Sequence, residues 1–243
     1  MKHIIILVIL LFVLTSPALA IYKWTDSKGA IHFTDLPPSE ASQIENLKLQ
    51  TGPAALTDTF DDDVVSKAWL RANSNDPNIF IEKDDNLIII APGNTDMWYD
   101  TFTAPLLYKR INGTLNFEAE VKLEFKSNGS DKGGLILWTD DRGRNDFLLL
   151  CKSKNEDINF RRITGKESVK GTEPGYTDDS ISFKLVKDGE NFSAYYSKDG
   201  TDWAELGSLI FQPGVNLNIG LFSCSWKPAP SKATFYYFVV KQK

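Results

Sequence analysis

The run from Leu115 to Lys126 constrains this chain most: Leu115, Phe117, Ala119, Val121, Leu123 and Phe125 are apolar, and Asn116, Glu118, Glu120, Lys122, Glu124 and Lys126 alternate with them. A period of two puts one face of an extended strand on a core and the other in water. Similar short runs recur at 87–91, 134–138, 147–152, 158–163, 181–187, 192–197, 217–223 and 234–240. Asn128-Gly129, Asp188-Gly189 and Asp199-Gly200 separate several of them with turn chemistry. No long helical period intervenes, so crossover βαβ units are not expected. The fold class expected is all-β, a two-sheet antiparallel jelly-roll sandwich over residues 59–243.

The segments before the sandwich read differently. Lys2 and His3 precede the apolar run Ile4–Leu14, and Pro17 then Ala18-Leu19-Ala20 supplies a small-residue cleavage pattern. Residues 1–20 are therefore expected to be a secretory signal peptide, leaving no membrane span after cleavage. Residues 21–38 predict a β-hairpin module: Ile21–Trp24 and Ala30–Thr34 flank Asp26-Ser-Lys-Gly29, and Pro37-Pro38 ends strand pairing. Residues 39–58 read as a linker, with Ser39, Ile44 and Leu47 placed to support a short helix ending near Gly52-Pro53.

Composition narrows the chemistry. The only histidines are His3 and His32, so the sandwich has no imidazole for a general base, a triad or a metal ligand. The net charge of −5, with Lys and Arg scattered along the chain, offers no basic stripe for nucleic acid. Cys151 and Cys224 both fall in expected strands. In an exported protein they form one disulfide, or else they are buried thiols.

Two resemblances follow from these residues. Tyr22-Lys23-Trp24-x-Asp26-x-x-Gly29 with Phe33-x-Asp35-x-Pro37-Pro38 resembles a short bacterial envelope domain of unknown function, which implies a periplasmic or secreted location. The main segment resembles the concanavalin A-like lectin/glucanase superfamily, in particular its jelly-roll modules of uncertain function. The residues are Thr59-Phe60-x-Asp62, Trp69, Asn86-Leu87-x-Ile89, Phe117-x-Ala119-x-Val121, Gly134–Leu137 and Asp140-Asp141. Ser197-x-Asp199-Gly200-x-x-Trp203, Ile219-Gly220-Leu221 and Phe235–Phe238 complete the pattern. That resemblance implies the sandwich and identifies no ligand.

Flat aromatic rings at a groove stack on sugars, while amides and guanidinia fix hydroxyls. Trp98, Tyr99, Trp138 and Trp226, with Asn145 and Arg161, are the carbohydrate-binding candidates; Tyr176 is a further aromatic to watch. Core or edge-capping packing is the competing role for each ring. Retaining glucanases of the superfamily carry a Glu-x-Asp-x-x-Glu strand. Glu118-Ala-Glu120-Val-Lys122-Leu-Glu124 lacks its middle Asp and its spacing, and reads as a solvated charged face. Asp61-Asp62-Asp63, Asp140-Asp141 and Asp178-Asp179 offer oxygen ligands to calcium, without the spacing of a known loop.

The expectation is a non-catalytic exported binding protein recognising a polysaccharide or glycan on the concave sheet face or rim. A structural module of the envelope, whose N-terminal hairpin pairs with a partner protein, is the alternative; a weak glycoside hydrolase is a third.

Overall fold

A computed structural model describes residues 56–98, 101–126, 131–139, 146–153, 157–165 and 167–242, together with the backbone of three strands before residue 48. The chain divides into two units, Met1–Ala55 and Leu56–Lys243.

In the first unit β1 (Ile21–Thr25) pairs antiparallel with β2 (Ile31–Thr34), with Trp24 opposite His32. The expected hairpin strands are therefore present; the turn between them and the signal segment lie outside the described residues. The helix expected in the linker is not formed. Gln43–Leu47 is strand β3, paired antiparallel to the free side of β1 with Ile44 opposite Trp24. Ile44 and Leu47 suit a helical spacing, but the open edge of β1 offers unpaired backbone groups, and a two-stranded hairpin alone is marginal in water. A third strand satisfies that edge.

The second unit is a sandwich of two seven-stranded sheets. Sheet I contains, in spatial order, β12 (Glu167–Glu173), β11 (Asp157–Thr164), β10 (Asp146–Ser153), β9 (Lys132–Thr139), β16 (Asn216–Cys224), β7 (Leu106–Asn112) and β4 (Leu70–Ala72). Sheet II runs β15 (Ala204–Ile210), β14 (Asn191–Ser197), β13 (Ser180–Asp188), β8 (Phe117–Phe125), β17 (Ser231–Gln242), β6 (Leu87–Ala91) and β5 (Phe80–Glu82). Every pairing between these strands is antiparallel.

The alternation of β8 has the expected result: Phe117, Ala119, Val121, Leu123 and Phe125 are fully buried against Leu135, Leu137, Leu148, Leu150, Ile219 and Leu221 of sheet I. A bulge in β17 keeps its aromatics in phase. Phe235 faces Leu123, the register slips at Tyr236, and Phe238 then faces Val121, so both phenylalanines enter the core. The displaced Tyr236 and Tyr237 turn outward, where their hydroxyls donate to Glu124 Oε2 (2.9 Å) and Glu120 Oε1 (2.6 Å). Glu118, Glu120 and Glu124 thus lie on the outward face of sheet II.

The Ser197–Trp203 turn is held from within. Gly200 N–H donates to Ser197 Oγ (2.9 Å), and Asp199 Oδ1 accepts the amides of Thr201 (2.8 Å) and Asp202 (3.0 Å). Those amides hold the Asp199 carboxyl far below the usual range. Trp203 lies 3.8 Å from the Lys184 ammonium, on the outward face of sheet II.

Sheet I is unusual in being buried on both faces. Behind it lies a second apolar cluster: Met97, Phe102, Ala104, Leu106, Ile136, Trp138, Phe147, Leu149, Ile163 and Phe222, with Cys151 and Cys224. Both cysteines are free thiols, which excludes the disulfide. Cys151 on β10 is opposite Gly134 and Cys224 on β16 is opposite Lys132, with β9 between them. Two strand spacings, with a further two-residue offset along β9, put their backbones more than about 9.5 Å apart, whereas a disulfide holds its Cα atoms within roughly 7 Å. A thiol reagent is therefore expected to count no reactive cysteine in the folded protein and two after denaturation without reductant. One or none after denaturation contradicts this geometry.

Candidate functional site

Strand register fixes what the outward face of sheet I displays. One row across the sheet is Ile163, Phe147, Trp138, Asn218 and Arg110; the next is Arg161, Leu149, Ile136, Gly220 and Tyr108. A third row is Asn159, Cys151, Gly134, Phe222 and Leu106. The face is apolar at its centre and polar toward its ends.

The segment between β6 and β7, through residues 92–98 and 101–105, covers the centre. It is hooked onto itself by the Met97–Phe102 bridge and by the amides of Thr103 and Ala104 donating to Asp96 O (2.9 and 3.3 Å). Phe102 meets Trp138 edge-on at 5.9 Å and Phe147 at 5.3 Å, while Tyr108 tilts against Trp138 at 4.8 Å. Trp138 is only 6% exposed. It is a core ring of the second cluster, not an open stacking platform.

Under the same segment lies a buried ion pair. Lys132 Nζ donates to Asp96 Oδ1 at 2.5 Å, and the Trp98 ring lies 5.5 Å from that ammonium. Burial works to lower the Lys132 pKa. Against it, the Cys224 thiolate at high pH and the Asp96 carboxylate, which accepts a hydrogen bond from Lys132, outweigh burial and hold it above the ordinary lysine value. The thiols behave oppositely: burial pushes Cys151 up to about 11 and Cys224 up to about 12, so both are protonated at neutral pH.

Toward β11 and β12 the face becomes hydrogen-bonding. Half-buried Arg161 donates from Nη2 to Asn159 Oδ1 (2.8 Å), which also accepts from Thr172 Oγ1 (3.1 Å). Asn159 Nδ2 donates to Ser153 Oγ (2.6 Å).

The rim at the Lys132 end is built by two loops zipped backbone to backbone. Asn94 N–H donates to Lys227 O (2.9 Å), Thr95 N–H to Ser225 O (2.8 Å), and Ser225 N–H to Thr95 Oγ1 (3.1 Å). Glycine is required at position 93, because a Cβ there would sit 1.9 Å from Pro228 O. Buried Ser225 donates from Oγ to Ala229 O (2.5 Å) and braces the loop from inside. The result presents Trp226 at 60% exposure.

Of the residues singled out from sequence, Trp98, Trp138 and Arg161 thus belong to one sheet face, and Trp226 stands on its rim. Tyr99 and Asn145 lie outside the described residues. Tyr176 is elsewhere, donating to Ser180 O (3.0 Å), edge-on to Tyr196 and pushed up to about 12 by burial and by Asp178. Asp96, Lys132 and Asn159 were not foreseen; a charged residue beside a strand end carries no signal of burial in one sequence.

The aspartate groups are engaged with the protein itself. Asp178 Oδ2 is 2.8 Å from Lys198 Nζ, and Lys152 Nζ donates to Asp178 O (2.7 Å) and lies 3.9 Å from Asp179. Asp62 Oδ1 accepts the Val64 amide and Asp63 Oδ1 the Asp84 amide. Among the described residues no three His, Cys, Asp or Glu side chains converge as metal ligands, and no helix is long and apolar enough to cross a membrane. Asp140 and Asp141 lie outside the described residues.

Comparison with known proteins agrees with this architecture. Residues 73–243 match the family described as Protein of unknown function (DUF1349), and the chain belongs to that family. Residues 8–59 match a domain of unknown function, DUF4124. No curated protein matches. The fold is similar to that of the GH43 protein BlXynB from Bacillus licheniformis, with TM-score 0.68 and 18% identity over 91% of this chain. This chain spans 46% of that one, less than half its length. It is also similar to a functionally unknown protein from Saccharomyces cerevisiae (TM-score 0.62, 16% identity, 72% of this chain and 97% of that one). A third likeness is to the catalytic domain of an endo-1,3-β-glucanase from Thermotoga petrophila (TM-score 0.59, 12% identity, 77% and 96%). These identities establish the jelly-roll fold that the sequence resemblance implied.

Three substitutions distinguish core from pair. Trp138→Ala is expected to cost about 3–5 kcal/mol through the cavity it leaves. Lys132→Met, which strands the Asp96 carboxylate, costs about 3–5 kcal/mol, and adding Asp96→Leu recovers most of that loss. Chemical denaturation of the three variants measures these changes.

Proposed function

We propose that this protein is an exported, non-catalytic carbohydrate-binding protein, and that a glycan is engaged at the rim that presents Trp226, whose loop is zipped to residues 93–95 of the segment carrying Trp98. The observation that carries this reading is Trp226: a large aromatic ring 60% exposed on a loop fixed by its own hydrogen bonds. A rigid exposed ring loses little entropy on binding, and its flat face suits the apolar face of a sugar. Half-buried Arg161, oriented by Asn159 farther along the same face, adds a guanidinium for hydroxyls. The buried centre of the face leaves the rim as the exposed aromatic platform. Two of the fold neighbours are named for polysaccharides, a xylan β-1,4-xylosidase from Bacillus halodurans and the Thermotoga endo-1,3-β-glucanase.

Two further features support recognition without turnover. The sandwich has no histidine. Glu120 and Glu124 on sheet II accept tyrosine hydroxyls on the face opposite Trp226. The envelope-interaction reading is favoured by a different observation, the exposed apolar side chains of Ile210 and Val215 (65% and 62%).

Isothermal titration against soluble xylan, xyloglucan and β-1,3-glucan tests the proposal. At least one polymer binds, and Trp226→Ala weakens it tenfold or more while leaving thermal stability within about 0.5 kcal/mol. No binding to any glycan, in a folded sample, returns the function to a protein partner.

A further inference from the structure

The entry into the sandwich holds a second group of buried charges. The segment 56–66 is tied to β17 by paired hydrogen bonds between Asp58 and Phe238 (both 2.8 Å) and by Val240 N–H donating to Leu56 O (3.3 Å). Asp58 Oδ2 accepts from Trp69 Nε1 (2.6 Å), and Phe60 is buried against Trp69. These anchors fix the first part of the segment. The bend that follows rests on β5 and on the turn after it: Asp62 N–H donates to Glu82 Oε1 (3.4 Å), and Asp84 N–H donates to Asp63 Oδ1 (3.1 Å).

Glu82 is an awkward group for such a place. It is 6% exposed, shares a side-chain hydrogen bond with Asp62, and its Oε2 is buried without a hydrogen-bond partner. The charged groups around it are unbalanced. Asp62 and Asp58 face it from the entry segment; Lys109 of β7, buried beside Trp69, leans to Asp58 at 4.0 Å. Arg71 of β4 sits over the Phe80 ring, and Lys83 pairs with Asp84 in the exposed turn. Its own neighbours in the ladder, Leu87 on β6 and beyond it Phe235 on β17, carry no charge.

We infer that Glu82 is a proton-operated catch for the bend Asp61–Val64: protonated, its carboxyl bridges to Asp62 and holds the bend; ionised, it repels Asp62 and Asp58 and the bend lifts from the 83–86 turn. A buried Glu82 carboxyl does not ionise cheaply beside the ionised, exposed carboxylate of Asp62. Burial, the Asp62 hydrogen bond and the Asp58 and Asp62 charges push Glu82 from 4.5 to about 8, while the same hydrogen bond lowers Asp62. A folded value above the unfolded one means that folding favours the proton. That stabilisation is complete below the ordinary glutamate value and is lost as pH rises through about 8. The anchors at Asp58 and Phe60 do not depend on the proton, so the change is local and the sandwich stays closed.

Amide NMR of the full chain between pH 6.5 and 9.5 tests this. The Asp62, Val64 and Asp84 amides are expected to move together through one transition near pH 8, while Phe238 and Val121 do not. In Glu82→Gln those three amides stay flat, and thermal stability falls less between pH 7 and 9.5 than in the parent. In Asp62→Asn, which removes one repelling charge and keeps the amide, the transition shifts to lower pH. Amides that stay flat in the parent, or that titrate unchanged in either variant, overturn the inference.

Discussion

Three lysines of sheet I hold this sandwich to its loops, and each does so in the same way. Lys132, Lys109 and Lys152 are all buried strand residues whose ammonium groups reach an aspartate on an irregular segment: Asp96, Asp58 and Asp179. Each ammonium also lies near an aromatic ring contributed near that aspartate, at 5.5 Å from Trp98, 4.6 Å from Trp69 and 5.7 Å from Tyr176. The segments so pinned are the entry to the sandwich, the crossing from β6 to β7 and the crossing from β12 to β13. A buried charge left without its partner is costly, so such a segment detaches only at a large penalty. The rings add a cation–π attraction that strengthens where water is excluded.

This pinning explains how a sheet can be apolar on both sides. Sheet II follows the usual rule, one face on the core and one in water, and its outward glutamates pair with tyrosine hydroxyls. Sheet I instead needs a lid over Ile136, Phe147, Leu149 and Phe222, and residues 92–98 and 101–105 supply it. The Lys132–Asp96 pair anchors that lid at one end while Phe102 and Met97 fill it. The exposed Trp226 is a by-product of the same construction, because its loop is zipped to residues 93–95 of the lid. The proposed recognition surface therefore inherits its rigidity from a packing requirement.

The sequence was legible where one face is wet. β8 reads unmistakably as a strand, and β13 and β14 nearly so, because polar and apolar residues alternate. β7 was missed for the opposite reason: Leu106 and Leu107 are both buried, one on each face of sheet I, so no alternation survives. β4 and β5 have three residues each, too few for a period to show. β12 and β15 lie at sheet edges, where charges and small residues are tolerated and mimic loops. β3 was read as helical because Ile44 and Leu47 fit both spacings, and only the unpaired side of β1 decides between them.

The site was legible in its parts and not in its arrangement. Trp138 and Trp226 look alike in the chain, each a lone tryptophan at the end of an apolar strand. Phe102 distinguishes them, arriving from more than thirty residues upstream of Trp138 to cover one ring and leave the other bare. Lysine at positions 109, 132 and 152 looks like ordinary solvated charge, since its partners come from segments joined only by the fold. An interior ammonium is economical here: it closes a loop electrostatically, while its alkyl stem packs with the apolar residues beside it. Arginine at the same positions brings a larger, planar head with more donors to satisfy. Lysine at all three therefore suits a buried charge on a strand of sheet I, where a carboxylate and a ring of the pinned segment are within reach.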